Sequence, residues 1–413
     1  MRQLLVLGAG TAGTMVVNKL RRKLSRDEWR ITVVDMSDRH FYQPGYLFLP
    51  FGAYEPEQVV RPAAPLIGPG VDVIRAEVDR VDAARNQVLL LDGRSLPYDD
   101  LVIATGVTPR PDQTPGMLDG GQWRKTIFDF YTYEGAAALA KALERFDAGR
   151  LVVHITDMPI KCPVAPLEFT FLADDHLRRL GRRDRVELVY ATPLPGAFTK
   201  PIAAGRLGSM LDERKVTVEP DFLVERIDGT RLISYDEREI PFDLLVTVPL
   251  NMGADFVARS GLGDELNLVP VDRFTMLAKG YDNIFALGDA NDIPTSKAGS
   301  VAHFAVDVLV DNFVAHAAGR PMTGRFDGHA NCFVESGAGK ALLIDFNYDT
   351  EPLPGRYPLP GAGPFRLLGE SAVNHWGKLA FRWMYWHLLL PGRPIPLPAH
   401  MSMAGKHTPV PGK

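Results

Sequence analysis

Short apolar runs punctuated by glycine organise the start of the chain. Leu4-Leu5-Val6-Leu7 has the length and character of a buried strand, and an amphipathic stretch from Thr14 to Leu24 predicts a helix. Ile31 to Val34 predicts a second strand, ending at Asp35, and Val71 to Val78, Val88 to Leu91 and Leu101 to Ala104 predict three more. A second α/β series begins with the apolar run Leu151 to Ile155. Residues 279–290 carry another strand, running into Gly288-Asp289, and residues 298–318 follow with a long helical pattern. Beyond it, Cys332 opens a strand pair running through Ala341 to Phe346, a Pro/Gly-rich loop spans Pro352 to Pro364, and residues 374–390 predict an aromatic-rich helix ended by Pro391-Gly392.

Between the first strand and the first helix stands Gly8-Ala9-Gly10-Thr11-Ala12-Gly13, with Asp35 22 positions beyond the third glycine. Glycines at this spacing permit a tight turn and let helix-start amides approach a pyrophosphate, while the acid accepts from a ribose hydroxyl. The strand before and the helix after make this a dinucleotide-binding unit rather than an ordinary turn.

Composition narrows the classes. The 413 residues suit about two to three domains at roughly 150 residues each. With 46 Lys+Arg against 50 Asp+Glu, the formal charge of −4 argues against a general nucleic-acid binder. A hydrophobic share of 46% and no run near the ~20 apolar residues of a spanning helix leave a peripheral membrane mode at most. Two cysteines, Cys162 and Cys332, exclude a disulfide-stapled scaffold, and the ten histidines show no zinc spacing, so no metal is expected. Met1-Arg2-Gln3 enters the first strand directly, without the pattern of a leader peptide. Arg178 to Arg185 reads as a solvated charged face.

If Leu151–Ile155 opened a second dinucleotide-binding unit like the first, a glycine loop would follow it. Instead the sequence runs Thr156-Asp157-Met158-Pro159-Ile160-Lys161-Cys162-Pro163-Val164-Ala165-Pro166-Leu167-Glu168. Three prolines and no glycine cannot form the same amide nest, so no nicotinamide site is expected. Cys162 then falls near a strand-to-helix turn, where a helix start is expected to lower its thiol pKa.

The glycine loop, the Ala104-Thr105-Gly106 turn and the Ile284 to Asp289 strand together resemble the FAD-contact motifs of the two-dinucleotide-fold flavoprotein disulfide reductases. The segment Lys161 to Glu168, the region around Cys332 leading into Ala341 to Phe346, and His375-Trp376-Gly377-Lys378-Leu379-Ala380-Phe381 resemble, in order, the two redox-cysteine regions and the quinone end of the sulfide:quinone oxidoreductases. The resemblance implies an α/β fold: two Rossmann-like domains in tandem, the first split in sequence, plus a C-terminal α+β quinone-interface region. Its expected parts are residues 1–110 and 246–320 for FAD, 111–245 for the second domain with Cys162, and 321–413 for the region with Cys332.

It also implies FAD, bound by Gly8, Gly10, Thr11, Ala12, Gly13, Asp35, Gln43, Pro44, Val78, Thr105, Gly106, Gly288, Asp289, Lys297 and Lys378, and bound non-covalently, since the stretches His40 to Gly45 and Phe130 to Gly135 hold no cysteine. Tyr131 stands where many bacterial members have a third cysteine. Cys162 and Cys332 are the implied redox pair, Glu168 the implied proton handler, and Lys378 with Phe381 the implied quinone contacts. The implied partners are sulfide or a persulfide, a membrane quinone and, through the C-terminal aromatic helix, the membrane surface on its cytoplasmic face, with a homo-oligomer left open. The family's sulfide-site histidines find no match in the sequence. Two alternatives stay open: a single-subunit NADH:quinone oxidoreductase, and a flavin-binding sulfur-carrier scaffold without turnover.

Overall fold

The computed structural model of the protein describes residues 1–359, 361–395 and 397–407; Pro360, in the expected Pro/Gly-rich loop, lies outside them. The chain opens with strand β1 (Arg2–Leu7), helix α1 (Thr11–Lys23) and strands β2 (Trp29–Asp35), β3 (Asp72–Arg75) and β4 (Asp100–Ile103). It continues through β5 (Ile127–Phe128), β6 (Gly149–Ile155), helix α2 (Ala165–Arg179), β7 (Val186–Ala191), β8 (Thr217–Glu219) and β9 (Leu244–Val248). Strand β10 (Ile284–Ala286) and helix α3 (Gly299–Ala317) precede the C-terminal strands β11 (Ala330–Gly337) and β12 (Lys340–Phe346) and helix α4 (Ala372–Met384).

Two five-stranded sheets result. The first has the order β10-β4-β1-β2-β3 and the second β5-β9-β6-β7-β8, and all their pairings are parallel. Strands buried on both faces have no need of polar alternation, which is why Leu4 to Leu7 and Leu101 to Ile103 read as unbroken apolar runs and are almost wholly buried. The late strand β10 completes the first sheet by pairing with β4, so chain from either side of the second sheet builds the first. Where the chain crosses between the sheets, Val107–Arg110 pairs antiparallel with Leu250–Gly253. A separate four-stranded sheet carries β11 and β12, antiparallel, with Cys332 opposite Ile344.

Four local expectations are corrected. The apolar run Val71 to Val78 is two strands, β3 and Val78–Asp82, because the chain leaves the first sheet at Ala76-Glu77. The Pro/Gly-rich loop contains a short strand, Gly355–Tyr357, paired with Phe365–Leu367. The last helix is regular only to Met384 and then widens into a π turn over Tyr385–Leu389; Trp376 and Trp383 are exposed, whereas Tyr385 and Trp386 enter the core, so the aromatic face is divided rather than uniformly outward. In the Arg178 to Arg185 run, Arg183 is not solvated: its guanidinium is mostly buried and donates to the buried Asp174 at 2.6 Å.

Candidate active site

The turn from β1 to α1 works only with glycine at two points. Gly8 adopts φ +96, and a Cβ there would lie 2.6 Å from the Ala104 carbonyl oxygen; a Cβ on Gly13 would lie 1.9 Å from the Gly8 oxygen. The close approach leaves the start of α1 without a side-chain cap, its amides open to a cavity lined by Gly8, Gly10, Thr11 and Ala12. Asp35, at the end of β2, accepts the Ala9 amide at 2.6 Å from the same side.

The cavity measures about 480 Å³, within the ordinary range for a cofactor cleft. Of the expected cofactor residues it brings together Asp35, Gln43, Pro44, Val78, Thr105, Gly106, Gly288, Asp289, Lys297 and Lys378, besides the glycine loop; Gly13 alone stays behind the loop as packing. Two features fit FAD in particular. The Thr105 hydroxyl is buried with no protein partner, and Gly10 opens on free space that any side chain would fill. Asp289 is half-buried, and desolvation raises its pKa against the pull of Lys297 and Lys161. Lys297 donates to the Asp289 and Asn291 carbonyls at 3.0 and 2.7 Å, and Lys161 to the Gln43 side chain at 2.9 Å.

Cys162 lines this cavity, in the loop between β6 and α2. Helix α2 begins at Ala165-Pro166, where proline costs nothing because first-turn amides have no intrahelical partner. Cys332 lies on β11, outside the cavity lining, its sulfur 3.9 Å from the Ser300 hydroxyl; both thiols are free. The expected lowering of the Cys162 pKa is overturned: burial pushes it well up, Glu168 and Cys332 add to the rise, and Lys378 opposes it. Cys332 is raised to about 11, again chiefly by burial. The low dielectric around these sulfurs outweighs a helix start.

Glu168, on the first turn of α2, faces inward and is 1% exposed. It pairs with the Lys378 ammonium and accepts the Glu335 amide at 2.7 Å. Burial raises its pKa to about 7, with Lys378 restraining the rise. For Lys378 burial acts downward, but Glu168 and Glu335 outweigh it and the ammonium is held above its ordinary value. Lys378 and Phe381, one turn apart on α4, both face the cavity.

Several partners were not foreseen. His375 Nδ1 lies 2.9 Å from the carboxylate of the buried Glu335, so a histidine does stand beside the Glu168–Lys378 pair. Tyr131 lines the cavity and its hydroxyl donates to the Cys162 carbonyl at 3.1 Å. Tyr385 joins α4 to the glycine loop: its hydroxyl is 2.7 Å from both Thr11 Oγ1 and His40 Nε2, and His40 Nδ1 is 3.1 Å from the Ala9 carbonyl. A carbonyl only accepts, so Nδ1 carries the proton, Nε2 accepts from Tyr385 and Tyr385 accepts from Thr11. Burial lowers the His40 pKa to about 4, which keeps the ring neutral. Among the described residues no group of side chains could hold a metal ion, and no helix is long and apolar enough to cross a membrane.

The pattern that defines the pyridine nucleotide-disulphide oxidoreductases matches residues 2–154, which hold four of the five strands of the first sheet and the first two strands of the second. Together with the cavity, this defines the class: the chain is an oxidoreductase, a flavoprotein that uses FAD. The mitochondrial sulfide:quinone oxidoreductases of Mus musculus and Dictyostelium discoideum are each 26% identical to it, covering 94% and 95% of this chain and 86% of theirs. The crystal structure of the sulfide:quinone oxidoreductase from Aquifex aeolicus superposes with a TM-score of 0.79 at 20% identity, over 95% of this chain and 92% of that one. A type II NADH:quinone oxidoreductase of Staphylococcus haemolyticus is 33% identical, but over only 35% of this chain. Over nearly its whole length the chain is thus similar to sulfide:quinone oxidoreductases.

Proposed function

We propose that this chain oxidises sulfide, or a related persulfide, at a Cys162–Cys332 pair and passes the electrons through FAD to a quinone. The observation that carries the reading is the position of Cys162, which takes the place of a second dinucleotide loop and lines the same cavity as the first. The two parallel sheets are read as tandem Rossmann-like domains, the first split in sequence and holding FAD through Gly10, Thr11, Ala12, Asp35, Thr105 and Asp289. The second has lost its nicotinamide site, since Pro159, Pro163 and Pro166 offer no amides where a pyrophosphate would bind.

In the oxidised protein the two cysteines form a disulfide. HS⁻ attacks the Cys332 sulfur, the S–S bond breaks, a persulfide forms on Cys332 and Cys162 leaves as the thiolate. Cys162 is the leaving sulfur because it is the one on the cavity wall, and Lys378 is the cation that favours its charge against burial. A nucleophilic sulfur acceptor then removes the outer sulfur from Cys332, and the two thiolates give up two electrons as the disulfide closes. FAD, when bound, supplies the two-electron acceptor that hands the pair on to quinone. Glu168, with its pKa near neutrality, holds or releases the accompanying proton through its contact with Lys378. Lys378 and Phe381 receive the quinone from the α4 side, where exposed Trp376 and Trp383 suit a membrane interface, on the cytoplasmic face in this reading.

The test is flavin reduction by sulfide in Cys162→Ser and Cys332→Ser proteins that still carry FAD. Both lose sulfide-driven reduction under this reading; unaltered reduction in either would refute the thiol route, and flavin that no donor reduces would favour a sulfur-carrying scaffold.

A further inference from the structure

Cys162 is held in a conformation that a side chain rarely adopts. Its φ is +48, in the left-handed region where the β-carbon crowds the following carbonyl. Such a residue persists only where its surroundings fix it, and three hydrogen bonds do so here. The Cys162 amide donates to the Lys297 carbonyl at 2.5 Å, and its own carbonyl accepts the Ala165 amide at 2.9 Å and the Tyr131 hydroxyl at 3.1 Å. The first two are backbone bonds, one to the segment that leads into α3 and one to the start of α2. The third comes from a side chain on another element.

Tyr131 is itself rigidly placed. It follows β5 in a turn gathered by the buried Asp129, which accepts the Tyr131 and Thr132 amides at 2.9 and 2.7 Å and the Thr132 hydroxyl at 2.9 Å. Arg124 neutralises Asp129 at 2.9 Å from the outer side. The Tyr131 ring packs edge-on against Phe130 and is almost wholly buried, on the wall of the cavity that Cys162 also lines. Among the described residues the Cys162 carbonyl is the one protein acceptor its hydroxyl meets. If Cys162 relaxed to an ordinary negative φ, its β-carbon would swing to the other side of the backbone and carry the sulfur off its present line.

We propose that Tyr131 is a positioning residue: its hydroxyl clamps Cys162 in the left-handed pose and thereby sets how readily the Cys162–Cys332 bond closes. The inference rests on the redox pair proposed above. Tyr131 takes no part in the electron or proton transfers; it acts through the backbone of Cys162.

The test is an anaerobic glutathione redox titration of the FAD-loaded protein without sulfide, with the disulfide fraction read by alkylation and mass spectrometry. Losing one ordinary hydrogen bond corresponds to about a fivefold change in an equilibrium constant. Because the bond is present with both thiols free, its worth bounds how far the unclamped dithiol relaxes, and Tyr131→Phe is expected to make disulfide closure less favourable by up to about fivefold, or ~20 mV at 29.6 mV per tenfold for a two-electron couple. Flavin content stays at the wild-type value, and the melting temperature falls by no more than the loss of one hydrogen bond allows. Tyr190→Phe, which removes a neighbouring buried hydroxyl that donates to the Ala197 carbonyl at 3.5 Å and not to Cys162, leaves the titration unchanged. A wild-type titration curve in Tyr131→Phe overturns the proposal, as does a loss of flavin or melting temperature with the curve unmoved, which would mark Tyr131 as merely structural. If wild-type protein forms no Cys162–Cys332 disulfide at any potential, the redox pair itself fails, a result distinct from either.

Discussion

Replacing Lys378 by methionine removes the only cation paired with Glu168 among the described residues, and the pair is deeply placed: the side chains are 12% and 1% exposed. Left ionised, the carboxylate would be an uncompensated buried charge, at a cost of about 3–5 kcal/mol. Taking up a proton is cheaper. With its pKa already near 7 beside Lys378, Glu168 requires only ~1.4 kcal/mol to be protonated at pH 8, and removing the lysine pushes the pKa higher still. The sign follows from linkage. A carboxyl whose folded pKa lies above its unfolded value binds more protons when folded, so it contributes stability below the unfolded value and loses it as pH rises toward the folded one. In the wild type that loss ends near pH 7; in Lys378→Met it continues above, by up to about 1.4 kcal/mol per pH unit. The two proteins should therefore differ little in their pH slope below pH 7 and diverge between pH 7 and pH 9.

Thermal unfolding of the FAD-loaded proteins at matched pH reads the divergence, and infrared spectroscopy reads its cause as a protonated carboxyl band at pH 8 that is absent from Glu168→Gln/Lys378→Met. The double variant should recover most of the loss, because it leaves no buried charge. A pH-independent offset in Lys378→Met, or losses that simply add in the double variant, would refute the reasoning.

Three further outcomes follow from the same contacts. The rate of flavin reduction or reoxidation that depends on Glu168 should break near pH 7, and stopped-flow profiles of Glu168→Gln should lose that break. Asp289→Ala should weaken FAD binding by about ten- to a hundredfold, the equivalent of one charge-assisted hydrogen bond, measured by flavin fluorescence; unchanged affinity would remove Asp289 from the cofactor site. Trp376→Ser/Trp383→Ser should lower partition to lipid vesicles at least several-fold with flavin content intact, whereas Trp386→Ser should instead lower the melting temperature, since that ring is in the core.

The parts of the molecule governed by backbone geometry were plain in the sequence. Gly8 and Gly13 are required by close backbone approaches, so their spacing survives as a pattern, and the unbroken apolar runs of the parallel strands follow from burial on both faces. Cys162 was legible by position, as a thiol where a glycine loop belongs. What the sequence hid depends on side chains that meet only in the folded chain. His375 reaches Glu335 across 40 residues, and Tyr385 reaches His40 across 345. Such contacts leave no periodicity. The direction of the Cys162 pKa was missed for a related reason: a helix start is visible in sequence, but the burial that outweighs it is not. The division of the last helix, with Trp383 outward and Trp386 inward, likewise depends on the π turn at its end.

The most direct test of the central claim is an anaerobic titration of the FAD-loaded protein, flavin absorbance followed, with sulfide in one cuvette and NADH in another. Bleaching by sulfide alone, reversed on adding a short-chain quinone, is the result expected of a thiol pair that has replaced a nicotinamide site. Bleaching by NADH, with sulfide inert, would contradict it and assign the second α/β domain to a nicotinamide after all.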